Sequence, residues 1–249
     1  MDRQLAVVTG GGTGLGRSIC HALAGRGMDV LAVGRRRRPL EETSEVNPQC
    51  ILPLPADVAE IEGRDAIRRA VGERSVRCLV HNAGVLEPVG PLAGVDLHQW
   101  RRAQSINVEA PLFLSQALLD CLPGGRILHI SSGAAHNGYV GWGTYCASKA
   151  ALYMLYRVLS MELADRDIAV GSLRPGVVDT PMQALIRSQS PEAFPGVDKF
   201  LELHAAGRLE DPDRVAAFTA WLLLDVPVEQ YRRDEWNFAD AAQRAAWRE

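Results

Sequence analysis

Tyr145 and Lys149 stand four residues apart in a stretch whose apolar spacing predicts a helix over residues 144–164, so both side chains share one helical face. An ammonium within a few ångströms of a phenol favours the phenolate. The pair is therefore expected to bring the tyrosine down from its ordinary pKa of about 10 towards the working pH, where it can exchange a proton with a ligand oxygen. Residues 126–131 read as a buried strand, and Ser132 at its end can hold the same oxygen beside the phenol. Tyr-x-x-x-Lys also arises by chance in many helices. The reading gains weight only if the chain builds a cofactor site as well.

The elements that would position these groups begin at the N-terminal end. Leu5 to Thr9 predicts a short buried strand, followed by the glycine-rich run Thr9 to Gly16 and an amphipathic helix over residues 17–26. The pattern is T-G-x-x-x-G-x-G, with Gly10, Gly14 and Gly16 as its glycines and Thr13 and Leu15 between them. G-x-G-x-x-G is not met in any register. Glycines allow a sharp turn and close approach of a ligand, and the helix N-terminus offers free N–H groups to a pyrophosphate. A second strand, residues 29–33, runs into Gly34 and four arginines, Arg35 to Arg38. An acidic residue at that distance would bind the ribose hydroxyls of NAD. A guanidinium instead suits the extra phosphate of NADP, at roughly 1.5–3 kcal/mol per charge-assisted hydrogen bond. Arg35 is the first choice for that contact and Arg36 the second, with Arg37 and Arg38 starting a solvated helix.

A third strand, residues 50–54, leads to Asp57 and Val58, an adenine-edge contact or a solvated loop. A helix over 60–73 and a strand over 78–81 precede Asn82, Ala83 and Gly84. A long apolar helix, residues 98–121, carries Asn107, either a satisfied core amide or a group holding a water near the site. The strand over 168–173 is followed by Pro175, Gly176, Val178 and Thr180, the last free to donate to an amide. Strands alternating with helices imply an α/β doubly wound parallel sheet, Rossmann-like and three-layered, in a single domain over residues 1–249. Its ligand edge would collect Gly10, Arg35, Asp57, Asn82 and Ser132. Residues 181–207, interrupted by Pro191 and Pro195, are expected to form a mobile substrate lid, with disorder or an interface as competing readings. A helix over 211–224 is capped by Asp211 with Pro212 in its first turn. In the tail, residues 231–249, Trp236, Phe238 and Trp247 are expected to pack on the domain or on a partner subunit.

Composition narrows the field further. The 249 residues carry a formal charge of -3 and 47% hydrophobic side chains, which suits one ordinary domain and offers no electrostatic footprint for nucleic acid. No apolar stretch approaches membrane-spanning length and no leader is visible, so a cytoplasmic protein is expected. Five cysteines without C-x-x-C spacing and six scattered histidines fit free thiols and no metal site.

Taken together, the Thr9–Gly16 pattern, Asn82-Ala-Gly84, Asn107, Ser132, Tyr145-x-x-x-Lys149 and Pro175-Gly-x-x-x-Thr180 resemble the short-chain dehydrogenases/reductases along nearly the whole chain. That resemblance implies a seven-stranded sheet and an Asn107-Ser132-Tyr145-Lys149 tetrad. It further implies hydride transfer between NADP(H), preferred over NAD(H), and a small-molecule carbonyl. Lys149 would also hold the nicotinamide ribose, Asn107 a relay water, and the helices of Asn107 and Tyr145 a homodimer or homotetramer. His81 stands where the family has asparagine, and its common Thr-Gly before the final strand is missing. Gly141 to Lys149, Val178 to Gln183 and the tail near Trp236 resemble the branch that reduces pterins and small dicarbonyls. Asn237 falls where the pterin reductases carry an anchoring aspartate, with Glu235 or Asp240 as substitutes. Oxidation of an alcohol, or a non-catalytic NADP-binding sensor, are the alternative functions.

Overall fold

The computed structural model describes residues 3–247. Seven parallel strands make one sheet: β1 Leu5–Thr9, β2 Asp29–Gly34, β3 Ile51–Pro55, β4 Val76–His81, β5 Arg126–Ile130, β6 Ala169–Arg174 and β7 Trp236–Asn237. Their order is β3-β2-β1-β4-β5-β6-β7, so the chain winds one way from β1 and the other way from β4. A crevice opens between those two strands at their carboxyl ends.

Both faces of the sheet are covered, which is why its strands read as continuous apolar runs. Alternate side chains serve opposite faces. Ala6, Val8, Val30, Ala32, Val80 and Leu128 pack towards helices α1 Gly14–Gly25 and α9 Pro212–Leu224. Leu5, Val7, Leu31, Val33, Leu79 and Ile127 face the layer formed by α3 Ile61–Val71, α5 Ala110–Ala117 and α6 Gly143–Glu162. Arg126, only 3% exposed at the start of β5, donates to the carbonyls of Leu222 and Val226, both at 2.6 Å, and so closes the C-terminal end of α9. Asp211 caps that helix by accepting the Asp213 N–H, as its sequence predicts.

One expectation is corrected. The helix predicted over 98–121 is instead α4 Leu97–Gln104, a π-turn at Ser105–Glu109 and then α5. Asn107 lies in that π-turn, where its side chain takes up backbone groups of a neighbouring loop, and Pro111 follows in the first turn of α5. Residues 181–207 contain two helices, α7 Pro181–Arg187 and α8 Val197–Ala205, joined by turns over 188–196 and pinned by Ile186, Phe194, Val197 and Phe200, all buried. The tail packs on its own domain: Phe218 of α9 meets Phe238 and Trp247 edge-on at 5.3 and 5.4 Å.

His81 and His129 face each other across β4 and β5, 5.1 Å between ring centroids and fully buried. Ser115 Oγ bonds His81 Nε2 at 2.8 Å, whereas His129 has no side-chain partner of that kind among the described residues. Burial pulls His129 from the ordinary 6.5 to about 4, and pulls His81 well below its ordinary value with help from His129. An unfolded chain takes up these protons near 6.5, and the native protein refuses that of His129 until about 4. Stability from this pair is thus constant above 6.5 and lost as pH falls through that window, by about 3 kcal/mol for His129. His129→Leu should lose less melting temperature between pH 7.5 and pH 5 than the native chain. Equal losses in the two proteins would remove the pair as the source of acid sensitivity.

Candidate active site

The crevice is built first by backbone. Gly10 and Gly14 adopt φ of +69° and +52°, and a Cβ on Gly16 would lie 2.2 Å from the Gly10 carbonyl, so the turn closes only with glycine there. Thr13 precedes α1 without capping it through its side chain, which leaves first-turn N–H groups open to an anion. Asn82 Nδ2 donates to the carbonyls of Thr9 at 2.9 Å and Gly10 at 3.3 Å. Two connected cavities follow, of about 250 and 760 Å³, sharing Gly10, Thr13, Arg36, Ala83 and Gly84.

The smaller cavity is lined by Arg35, Asp57 and Val58, the larger by Gly14, Leu15, Gly16, Asn82, Ser132, Tyr145, Lys149, Pro175, Gly176, Val178 and Thr180. Of the site residues expected from sequence, only Asn107 lines neither. It is 1% exposed, accepts the Val85 N–H and donates to Val85 O and Ser148 Oγ, each at 2.9 Å. It thereby shapes the wall segment after Gly84. Asp57 is likewise committed: Arg102 pairs with its carboxylate and the Ala59 N–H donates to it. Arg35 and Arg36 are exposed at the rim, and their guanidiniums make no ion pair among the described residues.

Tyr145 and Lys149 share the α6 face that borders the chamber, with Nζ 5.7 Å from the phenol ring centroid. The ammonium does not bring the phenol down as its spacing suggests. Lys149 Nζ donates to Ile130 O at 2.8 Å, and burial dominates both groups. It pushes Tyr145 up to about 12, against the opposing hydrogen bond with Ser132, and draws Lys149 down to about 8. At neutral pH the phenol keeps its proton and the lysine its charge.

The chamber wall was only partly legible. Trp142 stacks on Phe194 at 4.5 Å and meets Tyr139 and Phe200 at 5.2 and 5.4 Å, while Leu86, Met182 and Leu185 complete an apolar lining. Trp142 could have been suspected as an aromatic set among glycines just before the tyrosine. Asn237 reaches the lining from β7, but its proposed substitutes do not. Glu235 is engaged by Arg174, His136 and Ser172, and Asp240 caps the short helix α11 Ala241–Arg244. Among the described residues, Glu87 is the one carboxylate on the chamber lining.

A doubly wound sheet with a glycine turn at its switch point and a buried tyrosine–lysine–serine cluster at the adjoining strand end defines a dinucleotide-dependent oxidoreductase. The chain belongs to the short-chain dehydrogenase family, whose model matches residues 4–191, and it is an oxidoreductase acting on CH–OH or C=O groups. Among curated relatives, a benzil reductase ((S)-benzoin forming) of Bacillus subtilis is 33% identical over 227 residues, 88% of this chain and 93% of that protein. A diacetyl reductase [(S)-acetoin forming] of Staphylococcus aureus is 28% identical over 89% of this chain and 91% of its own length. A short-chain dehydrogenase/reductase structure from Saccharomyces cerevisiae superposes with a TM-score of 0.89, at 28% identity and with 96% of this chain and 98% of that one covered. No described helix is long and apolar enough to cross a membrane.

Ser148→Ala would leave one buried N–H of Asn107 without an acceptor, at about 1–3 kcal/mol. A melting temperature lower by several degrees, with the cofactor still bound, is the expected outcome of a thermal melt. An unchanged melt would mean that the Asn107–Ser148 bond does not hold the π-turn.

Proposed function

We propose that this chain is an NADPH-dependent carbonyl reductase for ketones or small dicarbonyls, with Tyr145 as general acid. The observation that carries the reading is the Tyr145 phenol, which shares the α6 face with Lys149, borders the chamber together with Ser132 and is held in its protonated form by burial. Such a group can give a proton to an oxygen that gains negative charge.

The connected cavities fit a nicotinamide dinucleotide. Their shared glycine floor leaves room for close approach, α1 presents open N–H groups, and the uncommitted Arg35 and Arg36 would meet a ribose phosphate. Val58 and the backbone beside Asp57 would border the adenine, Ala83 and Gly84 the cofactor's middle, and Pro175, Gly176, Val178 and Thr180 its nicotinamide end. When bound, the cofactor supplies a hydride. Ser132 and Tyr145 would hold the substrate oxygen between their hydroxyls, so that the phenol proton passes to it as charge develops. The Lys149 ammonium then faces a phenolate, and its attraction lowers the cost of the proton's departure. Asn107 acts by setting the Val85 backbone beside the site.

The aromatic wall of Tyr139, Trp142 and Phe200 supports an aryl or diketone substrate, in line with the named activity of the Bacillus relative. A pterin is less well served, since Asn237 offers an amide where a guanidine-like edge needs a carboxylate. Helices α7 and α8 act as the substrate cover. Exposed Phe113, Met154 and Met161 on α5 and α6 support assembly into a homodimer or homotetramer, and five free thiols support a cytoplasmic setting.

The assay follows loss of reduced-nicotinamide absorbance with diketones, simple ketones, aldehydes and sepiapterin. Tyr145→Phe should abolish nearly all turnover while NADPH binds as before; retained turnover would remove the proposed acid. Arg35→Asp, combined with Arg36→Asp, should shift preference towards NADH, and an unchanged preference would displace the phosphate site. For the native enzyme, kcat/KM in the reductive direction should fall as pH rises through about 8, where Lys149 loses its charge. A profile flat to pH 10 would separate Lys149 from the proton step.

A further inference from the structure

Glu235 lies outside the chamber lining, yet its carboxylate is 7% exposed and joins three segments that border the site. Oε1 accepts the Ser172 hydroxyl at 2.9 Å, on β6. Oε2 lies 2.6 Å from His136 Nε2, which must carry its proton to donate to a carboxylate, and 3.1 Å from Arg174 Nε. His136 follows the tight turn Gly133–Ala135, which begins at Ser132 and is held by three hydrogen bonds: Ala134 N–H to Ser132 Oγ, Ala135 N–H to Ser132 O and His136 N–H to Gly133 O. The other edge of the His136 ring meets Tyr153 at 4.5 Å, one helical turn beyond Lys149 on α6. Arg174 borders the chamber and is paired in register with Asn237, which reaches the lining from the two-residue strand that Glu235 precedes.

A buried carboxylate is costly unless its partners are fixed, so two partners on β6 and one at the end of the Ser132 turn mark a junction between segments and not a surface pair. β7 is too short to hold itself by ladder bonds alone. We infer that Glu235 is a positioning residue: through His136 it sets the Ser132 turn against the α6 helix, and through Arg174 it holds Asn237 on the chamber wall. This rests on the reading of Ser132 and Tyr145 as the groups that hold the substrate oxygen. Glu235 itself does not touch that oxygen. Its effect is on whether two hydroxyls from different elements meet at one point, where a displacement of about 1 Å is enough to cost a hundredfold in rate.

The test uses Glu235→Gln, which keeps shape and loses charge, and His136→Gln, which removes a partner that is one-third exposed and so spares the fold. Hydrogen exchange of the amides of residues 134–136 should quicken about tenfold in either variant, with the β1 and β4 amides unchanged, since the local opening of one turn is separable from global unfolding. kcat should fall about tenfold with the NADPH dissociation constant within twofold of the native value, and the double variant should be no worse than Glu235→Gln alone, as expected for residues acting through one contact. Unchanged exchange in the Ser132 turn would overturn the inference whatever the activity. Faster exchange throughout the sheet, with a matching fall in melting temperature, would reduce Glu235 to a general stabiliser and overturn it too. If the native protein reduces no carbonyl in the panel, the functional reading fails by itself, and the exchange comparison still decides the role of Glu235.

Discussion

Where adjacent parallel strands send the chain in opposite directions, their last backbone groups lose ladder partners, and something must replace them if a crevice is to stay open. Here Thr9 and Asn82 do so for each other. Thr9 Oγ1 donates to Val80 O and accepts the N–H groups of Asn82 and Ala83, while the Asn82 amide returns bonds to Thr9 and Gly10. These bonds fix the glycine turn to the end of β4. The α1 N-terminus, the Gly84 floor and, through Val85 and Asn107, the α4–α5 break are all referred to that junction. The crevice is therefore a rigid feature of the sheet and not a gap between loops.

Within this frame the electrostatics is governed more by desolvation than by pairing. Lys149 and Tyr145 sit close enough to feel each other, but the lysine spends its best hydrogen bond on a strand carbonyl, and the phenol is left with Ser132. Burial then raises the acid and lowers the base. Burial acts in the same way on the neighbouring His81–His129 pair, which lines neither cavity. The difference between the two sites is access: one faces a chamber of about 760 Å³, the other only packed side chains.

The sheet, its parallel sense and nearly all of the groove were readable in the chain, because apolar runs, glycine turns and the Tyr145–Lys149 interval are local patterns. What sequence could not show is what depends on partners far along the chain. Asn107 sits in a sequence as apolar as any helix, and its partner, the Val85 backbone whose N–H and carbonyl its side chain pairs with, lies far back along the chain. The segment after Pro181 looked too polar and interrupted for the sheet core, since it buries only four large apolar side chains, Ile186, Phe194, Val197 and Phe200, against Trp142 and its neighbours. Asp57 lines the smaller cavity as its position suggests, but its partner Arg102 stands 45 residues on and is not visible from the local pattern. Glu235 carries no motif at all; its meaning comes from Ser172, Arg174 and His136, none of them its sequence neighbour.

That last arrangement bears on how the protein comes into being. The smaller cavity is lined wholly by residues up to Ile106, whereas the larger one also needs Pro175 to Thr180 and Asn237. Asn237 and the carboxylate that anchors its strand follow some sixty residues after β6. On a ribosome that feeds the chain from its N-terminal side, the residues that line the smaller cavity emerge well before the tail that completes the chamber wall, so that wall is the last part of the crevice to be made.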